Sequence, residues 1–154
     1  AELNKRGWEI LIFGSPHSTP AEFVPLFLRG RVRDLAAAGL TIQQSAAMMQ
    51  TCDVMLVPDS GLMHIAGALG IPTVALFGPI HWQTRSRYYP SVTALQGIDG
   101  CPVAPCFFHE RGGIFFPRDQ ECSKSGRCEA LNSLTPERIV SRVERVASSA
   151  VRAP

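Results

Sequence analysis

The chain has 154 residues, 45% hydrophobic and 18% charged, which excludes a disordered segment and suffices for one domain with a sizeable core. Its formal net charge is +2 with no dense Lys/Arg run, so neither nucleic acid nor an anionic membrane is implied as a partner. No apolar run approaches the roughly 18 residues needed for a membrane-spanning helix, and the polar opening Ala1 to Gly7 is not a signal peptide, so the expected compartment is the cytoplasm.

In chain order, Trp8 to Phe13 (WEILIF) predicts a strand closed by Gly14, Ser15 and Pro16. Pro20 and Ala21 open a helix to about Arg29, and Val32 to Asp34 is a short strand. Thr41 caps a helix through about Thr51, with Ile42, Ala46 and Met49 on one face. Asp53 to Val57 is the next strand, followed by a helix from about Leu62 to Leu69 that Gly70 ends and Pro72 keeps from continuing. Thr73 to Phe77 and Val92 to Leu95 complete the strands. The stretch from Gly97 to Asn132 is rich in Cys, Pro and Gly without periodicity, and a last helix runs from about Thr135 to Val151. Strands that alternate with helices and are too apolar to be half exposed predict an α/β fold, a Rossmann-like parallel sheet with helices on both faces. The core then spans residues 1–96, the Cys-rich loop 97–132, and the C-terminal helix of the same domain 133–154.

The chemistry concentrates in VPDSGLMHIAGALGIPTVALFGP, Val57 to Pro79. Ligands of open α/β sheets bind beyond the carboxyl ends of the strands, where loops enter helix N-termini. There Ser60, Gly61 and Leu62 would present unpaired amides at the positive end of a helix, an arrangement suited to phosphate. Gly61 would let a ligand approach the backbone, and His64 lies one turn further on. Taken singly, the same residues also read as a plain capped turn: Asp59 the N-cap, Ser60 a first-turn hydroxyl, Gly61 a turn glycine and His64 a core histidine.

Taken together, the stretch resembles the C-terminal domain of the glycosyltransferase family nine enzymes, the ADP-heptose:lipopolysaccharide heptosyltransferases. The matching residues are Asp59, Ser60, Gly61, His64, Ala66, Ala68, Pro72, Phe77, Gly78 and Pro79, and a looser likeness extends from Trp8 to LTPERIVSRV (Leu134 to Val143). The resemblance implies the C-terminal half of a GT-B fold that binds a nucleotide-sugar donor, with ADP-heptose expected, for inverting transfer to a lipopolysaccharide-core or similar glycan acceptor. It implies that Ser60 and Gly61 hold the diphosphate, that Asp59 and His64 orient the loop and touch sugar or phosphates, and that Leu40 lines the base pocket. Gly14, Gly78 and Pro79 complete the implied donor site. It implies no cofactor and no metal for the chemistry, and no catalytic residue on this chain. The acceptor and the general base would belong to an N-terminal domain outside these residues. The opening strand and phosphate loop also fall outside them, so no turnover is expected from the chain alone. Pro58, Ile80 and His17 depart from the family pattern, and His17 leaves another activated sugar open.

Cys52 is expected in the core. Cys101, Cys106, Cys122 and Cys128 cluster, but without the tight C-x2-C pairs of strong zinc patterns; they read first as reduced thiols and second as a structural Zn or Fe site. His81, Trp82, Tyr88 and Tyr89 either border a sugar pocket or anchor a loop against the core. A non-catalytic assembly module built on the cysteine loop is a further alternative. A nicotinamide-binding domain is disfavoured, because no G-x-G-x-x-G follows the Trp8 strand.

Overall fold

The computed structural model describes residues 2–15, 31–97, 101, 104–105 and 128–150. The chain falls into two compact units, Ala1–Thr51 and Cys52–Pro154. The described residues of the first unit combine two parallel strands with helices, and in the second parallel strands alternate with helices, so the α/β class read from the sequence holds.

The first unit contains helix α1 (Glu2–Lys5), strands β1 (Ile10–Ile12) and β2 (Val32–Asp34), and helix α2 (Ile42–Met49). β1 and β2 pair in parallel, with Ile10 opposite Val32 and Ile12 opposite Asp34. α1 is a single turn carrying Glu2 ion pairs to Lys5 and Arg6, too short to leave a periodic signal. α2 opens as Thr41 predicts: the Thr41 hydroxyl accepts from the Gln44 amide at 3.2 Å, and the Thr41 amide donates to the Gln44 side chain at 2.9 Å. Its apolar face is covered only beyond the first turn. Met49 is fully buried and Ala46 half-buried, whereas Ile42 is exposed, because a first-turn side chain has no preceding turn to lean on. The helix expected from Pro20 to Arg29 lies outside the described residues.

The second unit contains β3 (Met55–Pro58), α3 (Gly61–Ala68), β4 (Thr73–Phe77), α4 (Trp82–Arg85), β5 (Val92–Gln96), α5 (Glu129–Asn132) and α6 (Pro136–Ala150). The strands form a parallel sheet in the order β3-β4-β5. Successive strand residues face opposite sides of a sheet. Since Thr73, Val74, Ala75 and Phe77 are all fully buried, both faces of β4 are covered, as a parallel sheet requires. α3 packs on β3 and β4, and α6 on β4. α6 starts after Thr135, whose hydroxyl accepts from the Arg138 amide at 3.4 Å, and buries Val140, Val143 and Ala147 along one stripe.

Gly70 ends α3 as expected. With a φ of 70° it takes the left-handed conformation, donates to the Gly67 carbonyl and lets Ile71 donate to that of Ala66, which closes a Schellman motif over a buried Ile71. The one-turn helices α4 and α5 were not legible as periodic runs. Cys52, expected in the core, is only half-buried; burial and, secondarily, the charge of Asp53 push its thiol pKa up. Among the described residues, no helix is long and apolar enough to cross a membrane.

Candidate functional site

Because β3, β4 and β5 are parallel, with Pro58 opposite Leu76 and Phe77 opposite Gln96, their C-terminal ends share one edge. The loops at that edge carry Asp59 and Ser60 after β3, Gly78 to Ile80 after β4, and Gly97 after β5. The N-cap of α3 is Ser60, in an extended conformation, and its side chain makes no capping hydrogen bond. The plain-turn reading with Asp59 as the cap therefore does not describe this helix start. Gly61 and Leu62 are first-turn amides without an intrahelical acceptor, while the Met63 amide donates to the Ser60 carbonyl at 3.1 Å.

Gly61 has no left-handed φ, and a Cβ built on it meets no described atom within 4 Å. Neither the backbone nor the described packing demands glycine there. Asp59 turns instead toward α4, where its carboxylate lies 3.6 Å from Nε of Arg85. His64 is half-buried, with Nδ1 3.2 Å from the Tyr89 hydroxyl and the two rings edge to face.

A cavity of about 350 Å3 opens beside this turn, lined by Pro58, Asp59, Gly78, Pro79, Arg85 and Leu131 among others. Gln96 shapes its rim. Its side-chain amide donates to the carbonyls of Gly78 and Ile80 at 3.1 and 3.3 Å, and its oxygen accepts from the Trp82 amide at 3.0 Å. At Gly78 a Cβ would come within 3.0 Å of Cys128 Sγ and Leu131 Cβ, so this glycine admits α5 against the loop. A broader hollow, lined by His81, Gln83, Thr84, Arg87 and Pro105, contains none of the motif residues.

The structure thus gathers Asp59, Gly78 and Pro79 around one cavity and sets Ser60, Gly61 and His64 on the first turns of α3. Gly14, exposed beyond β1, and Leu40, half-buried before α2, belong to the first unit. Of the loop aromatics, Tyr89 packs on α3, whereas Tyr88 is exposed beneath the Arg87 guanidinium. His81 accepts from the Gln83 amide as the cap of α4. Cys101 and Cys128 are half-buried free thiols; His17, Cys106 and Cys122 lie outside the described residues. Arg85 and Gln96 are not legible in the sequence, because an arginine in a polar turn and a glutamine ending a strand carry no signal until the sheet edge brings them together.

Residues 1–109 match the family model described as glycosyltransferase family 9 (heptosyltransferase). The chain belongs to glycosyltransferase family 9. Among its curated relatives, the lipooligosaccharide heptosyltransferase 2 of Haemophilus ducreyi is 30% identical over 154 residues, covering 94% of this chain and 39% of the relative. The lipooligosaccharide heptosyltransferase 2 of Haemophilus influenzae is 30% identical over 102 residues, 64% of this chain and 30% of the relative. The chain spans less than half the length of these family 9 relatives. Among solved structures, the E. coli ADP-heptose LPS heptosyltransferase II superposes with a TM-score of 0.66 at 21% identity, over 96% of this chain and 39% of that one. That likeness shows the fold, the Rossmann-like half of a GT-B architecture.

Proposed function

We propose that this chain is the donor-binding part of an inverting heptosyltransferase of lipopolysaccharide core assembly, holding ADP-heptose with its diphosphate on the first turn of α3. The observation that carries the reading is the state of that turn: first-turn amides at Gly61 and Leu62, a Ser60 hydroxyl not used for capping, and open space at Gly61. The family match across this motif supports it. As the glycosidic bond breaks, the departing nucleoside diphosphate gains negative charge, and amides already aimed at it by the helix stabilise that charge without reorganisation. The proposed reaction takes a lipopolysaccharide-core sugar as acceptor, held outside these residues, and needs no divalent metal for transfer.

Asp59 raises an electrostatic problem in this reading, since a carboxylate beside a diphosphate repels it. Arg85 answers it. The pair is partly exposed and so contributes at most about 1 kcal/mol to stability, but the guanidinium offsets the carboxylate where the anion docks. Arg85→Ala is therefore expected to weaken ADP binding on the order of tenfold, to leave adenosine binding unchanged, and to shift the unfolding midpoint little. Equal loss for ADP and adenosine would refute this role.

The function is tested by titration calorimetry with ADP, UDP, GDP and ADP-heptose. ADP-heptose is expected to bind tightest, and Ser60→Ala to cost about 1.5–3 kcal/mol, one hydrogen bond to a charged group. Preference for UDP or GDP would overturn the base while keeping the diphosphate site. No binding of any of the four would sink the reading.

A further inference from the structure

His64 meets Tyr89 across 25 positions of sequence, and the contact is built for. At Gly67, one turn along α3 from His64, a Cβ would stand 2.5–2.9 Å from Tyr89 ring and Cβ atoms. The glycine therefore provides the seat on which the tyrosine ring rests. From there Tyr89 presents its ring at a 66° interplanar angle to the imidazole, centroids 5.7 Å apart, and its hydroxyl 3.2 Å from Nδ1. Nε2 of the half-buried His64 has no hydrogen-bond partner among the described residues. His64 lies four residues after Ser60, on the same side of α3, and helical side chains lean toward the N-terminus.

We propose that Tyr89 is a positioning residue: its hydroxyl holds Nδ1 of His64 so that Nε2–H is the donor offered to an oxygen of the ligand on the first turn of α3. This rests on the donor-site reading above. A neutral imidazole carries its proton on one nitrogen, and the hydrogen bond at the other selects which. A phenol donating to Nδ1 places the proton on Nε2, the tautomer that suits an acceptor oxygen of phosphate or sugar. The opposite tautomer would turn a lone pair toward that oxygen. Tyr88, next in the chain but exposed and paired with Arg87, takes no part.

Tyr89→Phe tests this, because it keeps the ring on Gly67 and removes only the hydroxyl. In long-range 1H–15N spectra the wild-type His64 ring is expected as the Nε2–H tautomer, and the variant as a mixture. ADP-heptose Kd is expected to rise about fivefold to tenfold, with the unfolding midpoint little changed and Tyr88→Phe behaving as wild type. In a His64→Ala background, Tyr89→Phe is expected to add nothing. If ADP weakens as much as ADP-heptose, the acceptor oxygen is on the diphosphate; if only ADP-heptose weakens, it is on the sugar. Either pattern supports the proposal. An unchanged tautomer and Kd in Tyr89→Phe, or a further loss on top of His64→Ala, would overturn the role of Tyr89 alone. A wild type that binds none of these ligands would overturn the donor site with it.

Discussion

Replacing Gly61 with Val is expected to abolish nucleotide-sugar binding while the protein remains folded. The two effects separate because of what surrounds this glycine. Its φ is one that any residue can adopt, and an added Cβ would meet no described atom within 4 Å, so the fold has room for a side chain. In the proposed site that room is where the diphosphate approaches the first-turn amides, and the branched carbons of Val would occupy it. Gly61→Ala sharpens the test by giving opposite signs. Removing glycine from a helical position it does not need is expected to raise stability by about 0.4–1 kcal/mol, while the methyl group weakens binding. Denaturant unfolding and calorimetry on the same preparations measure both. If the Val variant binds ADP-heptose as tightly as wild type, the start of α3 is an ordinary helix start and the site assignment fails.

Gly97→Ala is expected to be the most damaging small substitution in the second unit, with a loss of about 3 kcal/mol, the upper end of what overpacking usually costs. The added Cβ would fall 1.8 Å from the Ala130 carbonyl oxygen and 2.7 Å from its carbon. Both are backbone atoms, so no rotamer change relieves the clash. The Gly97 amide donates to the Phe77 carbonyl at 2.8 Å, which ties this end of β5 to β4, so α5 is the element that must move. Ala130 is buried, and Leu131 lines the cavity beside Asp59. The same substitution is therefore expected to weaken binding at the proposed donor site as well. A denaturation midpoint within error of wild type would mean that α5 is not seated on Gly97 in solution.

Much of the second unit was legible in the sequence because its signals are local. The apolar run at Thr73 to Phe77 is the observed β4, and Gly70 followed by Pro72 marks the end of α3 through backbone conformation alone. Thr41 with Gln44 three residues later announces α2 by a capping geometry confined to one turn. The motif from Asp59 to His64 could be assigned to a strand-to-helix junction for the same reason. Boundaries moved by a residue or two, as at β3, where Pro58 extends the strand because its neighbour β4 continues beside it.

The sequence by itself thus determined the alternation of strands and helices in the second unit, the place of the strand-to-helix turn proposed to hold the diphosphate, and the family. These follow from periodicity, caps and a contiguous motif. Only the tertiary structure decided what the site residues touch. Asp59 faces Arg85 rather than capping α3, His64 faces Tyr89, Gln96 holds the Gly78 loop, and Gly78 and Gly97 make way for α5. Each of these contacts joins residues more than fifteen positions apart. The contacts of Asp59, Gln96, Gly78 and Gly97 exist because parallel strands bring the C-terminal ends of β3, β4 and β5 to one edge, whereas Tyr89 reaches His64 from the turn that leads into β5. No local preference of the chain encodes which side chains meet.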